Sequence, residues 1–364
     1  MSLLVLSAGD VSRVTREIPA SAFLAMLGST MNAVTKQRDE PGTIPSIQNP
    51  QRIGTESKSH KTLYMPSRLT TSDQSSATSI KIVAAPNPDC SVPGLPATTL
   101  LMNEETGRTD SIVNASELTG IRTAAASALA TTFLANPHSK NLVVFGSGTQ
   151  AYYHARLILE LFPTITTTHF VVRKSSSRSR DLLERTVSEF PNVDFSLVCS
   201  ENVDVSTVVR SADIICTCVP STEPLFSEKD LKLGVHINAI GSYTPSMFEF
   251  PPSLISSQPS PPPSSDPKIP TILVDSRQAC LHEAGELIKA GVEPEDLIEI
   301  GELCDSNGNL KRDEETRSNC KRLRQSPGER SLFKCVGVGA MDVAITKLVV
   351  EEARKLNLGQ TVEF

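Results

Sequence analysis

The feature that most constrains the fold is a glycine turn between a short apolar strand and an amphipathic helix. Hydrophobic periodicity predicts the strand over 141–145 and the helix over 152–162, with GSGTQA between them. Within that turn, Gly146, Gly148 and Ala151 have the GxGxxA spacing. The first glycine permits the turn, the second lets the backbone approach a pyrophosphate, and the small third residue lets helix and strand pack closely. This context favours a dinucleotide site at the helix N-terminus over a merely structural turn.

Strands and helices alternate along the chain after this turn. Further strands are predicted over 169–172, 195–198 and 213–218, with helical stretches over 178–190 and 204–211 between them. Such alternation is typical of a parallel sheet with helices on its faces. We therefore predict an α/β fold that contains a Rossmann-type NAD(P)-binding domain.

The N-terminal third has a different character. Its apolar runs predict a strand over 3–6, a helix over 21–34, a buried strand over 79–84 and two strands joined by a turn within 97–114. The segment 36–79 is mostly polar and is expected to be largely loop. This third of the chain is therefore expected to be mostly sheet.

The length of 364 residues indicates two domains. We place a mixed α+β domain at 1–119, to which 325–364 return, and the Rossmann domain at 120–324. Two segments poor in apolar residues, near 251–270 and 305–330, are predicted to be mobile surface insertions.

The composition limits the partners. The formal net charge is −6 and Lys and Arg are scattered among acids, which leaves no basic face for nucleic acid. No stretch is expected to span a membrane. The eight cysteines include no CxxC pair and no zinc-like Cys/His spacing, so no metal site is predicted. The N-terminus lacks the basic and long apolar regions of a secretion signal, which makes the cytoplasm the expected location and a small molecule the expected partner.

The end of the next strand after the glycine turn bears on which dinucleotide binds. A carboxylate there would bind the ribose 2′-hydroxyl of NAD, whereas cations suit a 2′-phosphate. The sequence reads VVRKSSSRSR, and Arg173, Lys174 and the hydroxyl of Ser175 favour NADP(H), with NAD(H) possible. The alternative is a solvated basic loop.

Several segments together resemble the ornithine cyclodeaminase and mu-crystallin family. They are SIKIV upstream, ELTGIRTAAASALATTFLA immediately before VVFGSGTQA, HINAIGSYTP downstream, and LFKCVGVGAMDVA near the end. These segments occur in the family's order, and the resemblance covers nearly the whole chain apart from the two insertions. It implies a Rossmann domain together with a second domain that binds substrate and forms a homodimer.

The resemblance implies four residues of the substrate site. Arg52 in QRIGTES corresponds to the arginine that holds the substrate carboxylate, Lys81 to the strand lysine of the active site, and Arg122 to the arginine of the LTxxRTAA block. Glu283, after the VDSR segment, corresponds to an acid beside the substrate nitrogen. The chemistry agrees, since arginine binds a planar carboxylate bidentately and lysine neutralises it. The alternatives are, in the same order, a surface position, a buried structural salt bridge, a local pair and a solvated helix charge.

The resemblance also places residues around the cofactor. Besides the glycines and Ala151, these are Thr149, Gln150, Thr217, Ile240 and Cys335. Thr149 and Gln150 lie in the glycine turn, and Thr217 lies near the end of a later strand. Ile240 and Cys335 belong to segments that correspond to those lining the nicotinamide in the family.

One departure from the family pattern bears on the expected reaction. Cyclodeaminating members carry an Asp after the turn that follows the NAV segment, whereas this chain has Gly241, Ser242 and Tyr243 there. Ketimine reductases of the mu-crystallin type also lack that Asp. The resemblance therefore implies an NADPH-dependent reductase of cyclic ketimine carboxylic acids such as pyrroline-2-carboxylate or piperideine-2-carboxylate, giving proline or pipecolate. An NAD-dependent ornithine cyclodeaminase and a non-catalytic protein that binds NADPH and a small ligand are the alternatives.

Overall fold

The chain divides into two units, each built around its own β-sheet. The computed structural model describes residues 2–36, 44–70, 76–87, 90, 94–256, 271–325 and 329–363. The first unit comprises Met1–Arg122, Cys304–Asn309 and Val338–Phe364, and the second comprises Thr123–Leu303 and Leu310–Gly337. The first unit is therefore assembled from segments that are far apart in the sequence.

The secondary structure of the described residues follows the chain in this order. The strands are β1 (Ser2–Leu6), β2 (Ile47–Gln48), β3 (Ile53–Glu56), β4 (His60–Thr70), β5 (Ser76–Pro86), β6 (Ala97–Met102), β7 (Thr109–Asn114), β8 (Asn141–Phe145), β9 (Thr167–Val172), β10 (Asp194–Cys199), β11 (Ile214–Thr217), β12 (His236–Ala239), β13 (Ile272–Val274), β14 (Leu297–Glu299), β15 (Ser331–Lys334) and β16 (Gln360–Glu363). The helices are α1 (Ala8–Glu17), α2 (Ala20–Lys36), α3 (Ser116–Leu134), α4 (Thr149–Leu161), α5 (Ser177–Glu189), α6 (Ser206–Ser211), α7 (Ser253–Ser256), α8 (Arg277–Glu283), α9 (Gly285–Ala290), α10 (Ile300–Leu303), α11 (Glu314–Gln325) and α12 (Gly339–Lys355). Short 3-10 helices lie at Glu228–Asp230 and Pro294–Asp296.

The sheet of the first unit is mostly antiparallel. Its described strands are ordered β16-β1-β7-β6-β5-β4-β2, with β3 paired to β4, and β1 and β7 are parallel. Helix α12 packs on β4, β5 and β6. Because side chains alternate between the faces of a strand, Ala77, Ser79 and Lys81 of β5 share a buried face. The strand therefore carries a lysine into the interior of the unit.

The expectation that 36–79 is largely loop was wrong. Strand β4 runs through 60–70 and pairs along its whole length with β5. Its buried positions include Met65, Ser67 and Leu69, and half-buried or exposed residues alternate with them. The strands predicted elsewhere in the N-terminal third are present as β1, β5, β6 and β7.

Helix α1 was not predicted, although its start is encoded locally. The Ser7 hydroxyl accepts a hydrogen bond from the Asp10 amide at 3.2 Å, and the Asp10 carboxylate accepts one from the Ser7 amide at 3.0 Å. This capping box fixes the first turn.

Among the described residues, no single helix is long and apolar enough to cross a membrane. Helices α1 and α2 together pass that test of length and composition, but they are bent by 98° from each other.

The described strands of the second unit form a parallel sheet in the order β10-β9-β8-β11-β12-β15-β13-β14. From β8, the chain first adds β9 and β10 on one side and then β11 and β12 on the other. The glycine turn leads from β8 into α4 at this reversal, which is where doubly wound sheets bind ligands. The predicted α/β fold with a Rossmann-type domain is confirmed.

The return to the first unit begins later than we expected. Strand β15 pairs with β12 and β13 of the second unit, which extends to Gly337, so the return starts at Val338 and not at 325. Of the insertion predicted near 251–270, residues 257–270 lie outside the described part of the chain.

The prediction that 305–330 is a mobile insertion was wrong for much of its length. Helix α11 lies within it, and Thr316, Cys320 and Leu323 on one face of this helix are buried. The start of the segment, residues 305–309, belongs to the first unit together with Cys304. There the side-chain amide of Asn32 donates to the carbonyl oxygen of Cys304.

Candidate active site

A buried carboxylate in the first unit lies between two cations. Asp342 Oδ2 is 2.7 Å from Lys81 Nζ, and Asp342 Oδ1 accepts a hydrogen bond from Arg122 Nε at 3.3 Å. Strand β5 carries the lysine, the second turn of α3 carries the arginine, and the first turn of α12 carries the aspartate. The three side chains are at most 6% exposed. The structure thus joins two of the predicted residues through a carboxylate that sequence reasoning missed.

The charges of this cluster do not balance. Arg52 is half-buried just before β3, and its charge acts on Lys81. Burial lowers the pKa of Lys81 to about 8; Asp342 opposes the shift, while Arg122 and Arg52 add to it. In the described contacts of this cluster, the two buried cations Lys81 and Arg122 face the single carboxylate of Asp342, so the cluster favours binding of an anion. A planar ligand carboxylate matches the geometry of the guanidinium groups.

The sequence did contain a signal for Asp342. This acid stands in the first turn of a largely apolar helix, where an aspartate is readily interpreted as a favourable charge at the helix N-terminus. Lys81 in an apolar strand is a second charge that needs a partner when it is buried. Pairing these two charges would have predicted the contact.

Glu283 lies in the second unit. It is the last residue of α8, a helix whose N-cap is Ser276, and its side chain is half-buried. It therefore belongs to a different unit from Lys81 and Arg122, and its role stays a prediction.

The glycine turn has the geometry of a phosphate site. Gly146 has a φ of +120°, in the region that favours glycine, and a Cβ there would lie 3.0 Å from the backbone that follows β11. Gly148 is the N-cap of α4, no described side chain caps this helix, and a Cβ on Gly148 would meet open space. The helix begins with Thr149, Gln150 and the fully buried Ala151. Its first amides therefore suit the pyrophosphate of a dinucleotide.

The residues predicted to bind the 2′-phosphate lie after β9, and the two cations among them face a carboxylate that we did not predict. Arg173 Nε and Lys174 Nζ are 3.7 and 3.3 Å from the two carboxylate oxygens of Glu201. The two cations are 84% and 68% exposed, so each such pair contributes at most about 1 kcal/mol. The hydroxyl of Ser175 accepts a hydrogen bond from Arg180 Nη1 at 3.4 Å. The site therefore offers weakly held cations beside an acid.

The remaining predicted cofactor residues lie at the carboxyl ends of β11, β12 and β15. Thr217, Ile240 and Cys335 are 0%, 8% and 1% exposed. The Thr217 hydroxyl donates to the Asn238 carbonyl at 3.3 Å, and the Cys335 thiol donates to Asp275 Oδ2 at 3.2 Å. These side chains pack inside the second unit, so a ligand at this edge would meet the backbone around them. Among the described residues, no group of three or more His, Cys, Asp or Glu side chains is arranged to hold a metal ion.

Comparison with known proteins gives the family. A model of the ornithine cyclodeaminase/mu-crystallin family matches residues 12–259. The chain belongs to this family. A Delta(1)-pyrroline-2-carboxylate reductase from Bacillus cereus is 30% identical over 270 residues, which is 73% of either protein. The ketimine reductase mu-crystallin of Rattus norvegicus is 30% identical over 260 residues, which is 71% of this chain and 70% of that protein.

Two solved structures share the fold of this chain. The Delta(1)-pyrroline-2-carboxylate reductase of Thermococcus litoralis, in complex with NADH and L-proline, has a TM-score of 0.78 at 22% identity and covers 99% of this chain and 100% of its own. An archaeal alanine dehydrogenase dimer with bound NAD has a TM-score of 0.75 at 23% identity and covers 100% of both chains. At these identities the likeness supports the fold.

The position of Asp342 between two buried cations leads to a stability prediction. Asp342→Asn should lower the free energy of unfolding by about 3–5 kcal/mol, because Lys81 and Arg122 lose a buried counter-charge. Asp110→Asn is the matched control, since Asp110 pairs with the half-exposed Arg354 at 2.8 Å and its loss should cost at most about 1 kcal/mol. Urea unfolding at pH 7 measures both. Equal losses in the two variants would contradict the prediction.

Proposed function

We propose that the protein is an NADPH-dependent reductase of cyclic ketimine carboxylic acids, such as pyrroline-2-carboxylate or piperideine-2-carboxylate, with proline or pipecolate as product. As a member of its family it is an NAD(P)-dependent oxidoreductase that acts on C–N bonds. The observation that carries the proposal is the excess of positive charge around Asp342, which fits the carboxylate of such an acid. The names of the bacterial and rat relatives support the same reaction.

Each residue of the cluster has a task in this proposal. Arg52 and Arg122 hold the substrate carboxylate, and Asp342 keeps Lys81 and Arg122 in place while it balances part of their charge. With a pKa of about 8, Lys81 is mostly an ammonium at pH 7 and keeps the imine nitrogen protonated. Glu283 is the second acid proposed for that proton. A bound reduced nicotinamide supplies the hydride for the imine carbon.

The turn after β12 favours reduction over cyclisation of ornithine. Ser242 is fully buried and its hydroxyl donates to the Glu286 carboxylate at 2.7 Å, while Tyr243 is half-buried. Neither side chain is a carboxylate that could take a proton from an amine or a water molecule. This turn therefore supports the reductase.

We propose NADPH as the preferred reductant and NADH as a weaker one. Arg173 and Lys174 are exposed and only weakly paired with Glu201, so a 2′-phosphate can replace that acid as their partner. Glu201 remains beside them and can accept a hydrogen bond from the ribose 2′-hydroxyl of NADH. We therefore expect the preference for NADPH to be modest.

The first test is the initial rate of NADPH oxidation with pyrroline-2-carboxylate, measured beside NADH and beside ornithine with NAD. We expect turnover of the imine, a higher kcat/KM with NADPH than with NADH, and no ammonia from ornithine. Lys81→Met should lower kcat/KM by about a hundredfold or more and leave NADPH affinity nearly intact. Lys61→Met is the matched control, because Lys61 on the neighbouring β4 is 53% exposed.

Three results would contradict the proposal. Unchanged turnover in Lys81→Met would remove this residue from the mechanism. Ammonia release from ornithine would favour a cyclodeaminase, and tight binding of NADPH without turnover of any imine would favour a binding protein.

The pKa of Lys81 sets the expected pH dependence of the reductase. Because burial lowers this pKa to about 8, Lys81 is charged below pH 8 and loses its proton above that value. The kcat/KM for the imine reports the free enzyme and should fall as the pH rises through about 8. Lys81→Arg should keep the cation and move this fall to higher pH. A rate that rises through pH 8 would rule out the ammonium as the active form.

We also propose that the protein is a homodimer, because an apolar row crosses the outer face of the first sheet. Neighbouring strands place Val5, Ile112, Leu100, Ile80 and Pro66 side by side, and each is half-buried. A contiguous apolar row is typical of a surface that binds a partner. The archaeal alanine dehydrogenase of similar fold is a dimer, which supports a second copy of this chain as that partner.

Light scattering after gel filtration tests the dimer. The wild-type mass should be twice the 39.2 kDa of one chain. Leu100→Glu should give a monomer, because it places a charge in the apolar row. Leu233→Glu, at a position in the second unit that is 65% exposed, should stay dimeric. A wild-type mass of one chain would exclude the dimer.

A further inference from the structure

A second group of buried charges lies in the second unit, at residues to which the proposed reaction gives no task. Its members are Lys334 at the end of β15, Ser242 in the turn after β12, Glu249, and Glu286 in α9, and each is 0% exposed. Strands β12 and β15 are parallel neighbours, so their ends meet at the carboxyl edge of the sheet. The glycine turn lies at the same edge.

Hydrogen bonds join the four residues. Lys334 Nζ donates to Ser242 Oγ at 2.6 Å and forms an ion pair with Glu249 Oε2 at 3.3 Å. Ser242 Oγ donates in turn to Glu286, whose two carboxylate oxygens are each 2.7 Å away. The Glu249 amide donates to Glu286 Oε1 at 2.8 Å. The serine hydroxyl accepts one bond and donates another, so it is the centre of the network.

The network places one cation against two carboxylates in a part of the unit without access to water. Burial raises the pKa of Glu249 to about 7, with Lys334 opposing and Glu286 adding to the shift. Burial acts to lower the pKa of Lys334, but Glu249 and Glu286 outweigh it and the pKa is raised. Well-packed apolar side chains would commonly be at least as stable as such a network, so stability alone does not account for it.

The network reaches the glycine turn through a row of close backbone contacts. A Cβ on Gly241 would overlap both Glu249 Oε1 and the carbonyl oxygen of Val219. A Cβ on Gly146 would lie 3.0 Å from a methyl carbon of Val219. A continuous row of contacts therefore runs in space from Glu249 to Gly241, then to Val219 and then to Gly146, and neither glycine leaves free space for an added Cβ. A shift of Gly241 is passed through Val219 to the first glycine of the dinucleotide turn.

We propose that Lys334, Ser242, Glu249 and Glu286 are positioning residues that hold Gly241 against Val219 and thereby fix the glycine turn in the form that binds the dinucleotide. The inference rests on the dinucleotide part of the proposed function. The four side chains are fully buried and act through the backbone. The network lies beside the turn that binds the part common to NADH and NADPH, and not at the end of β9. Loss of the network is therefore expected to weaken the binding of NADH and of NADPH by the same factor.

The test is the affinity of the full chain for NADH and for NADPH, measured by nucleotide fluorescence without any imine. Lys334→Met should raise both Kd values by about tenfold, since misplacing a binding group by about 1 Å is costly. The kcat at saturating dinucleotide should change little. Ser242→Ala removes only the bridging hydroxyl and should raise both Kd values several-fold, and it decides the question if Lys334→Met does not fold. Lys232→Met is the matched control, because Lys232 pairs with Asp213 at the opposite edge of the same sheet.

Three outcomes would overturn the inference. The first is wild-type affinity in the folded variants of the network. The second is a loss for NADPH alone, which would locate the effect at the 2′-phosphate. The third is an equal loss of dinucleotide affinity in Lys232→Met, which would reflect a general loosening of the second unit. If the network variants bind both dinucleotides more weakly but the wild type reduces no imine, the proposed substrate fails and this inference stands.

Discussion

The carboxylate of Asp342 is the interaction on which the first unit depends. It lies 220 positions along the chain from Arg122, and its partners belong to a strand and a helix formed by the first third of the sequence. A lysine and an arginine buried without a counter-charge would each cost several kcal/mol. Helix α12 therefore has to return to the sheet for electrostatic reasons as well as for its apolar contacts. Because one carboxylate balances only part of the charge, the same contact that completes the fold also leaves an attraction for an anionic ligand.

The two clusters of buried charge, one in each unit, have an excess of opposite sign. In the cluster around Asp342, two buried cations face one carboxylate, and Arg52, whose charge acts on Lys81, is only half-buried, so a small anion is the natural complement. In the second, carboxylates exceed the cation Lys334 and every member is closed off, so only a proton can restore neutrality. The clusters therefore differ in the sign of their excess charge and in their exposure to solvent. The first is suited to binding a ligand, and the second to holding the backbone in place. The alternation of β5 carries Lys81 inward, whereas Lys334 ends β15, a strand whose four residues are all buried.

Most features that local sequence determines were predicted correctly, with helix α1 as an exception, and those that depend on distant partners were not. The glycine turn and the alternating strands and helices need only short-range patterns, and these gave the Rossmann-type unit. Strand β4 was missed because its inner face includes a serine and its outer positions are mixed, which hides the period of two. Helix α11 was missed because its buried stripe is narrow, consisting of Thr316, Cys320 and Leu323, and the rest of the helix is mostly charged or polar. The substrate-site residues were proposed from family resemblance, whereas the contacts of Asp342 with Lys81 and of Glu201 with Lys174 join residues from different elements and were not predicted.

The discontinuity of the first unit has a consequence for the order in which the protein forms on the ribosome. Strand β16 pairs with β1, and α12 covers β4, β5 and β6, so earlier strands of the sheet are completed by segments that are made much later. The second unit needs nothing beyond β15 and can close earlier. During translation the inner face of the first sheet therefore waits uncovered for more than 200 residues, as the separation between Arg122 and Asp342 shows. Exposed apolar faces and unpaired edges of this kind are where nascent chains generally associate wrongly, so the N-terminal sheet gains its protection later in synthesis than the second unit does.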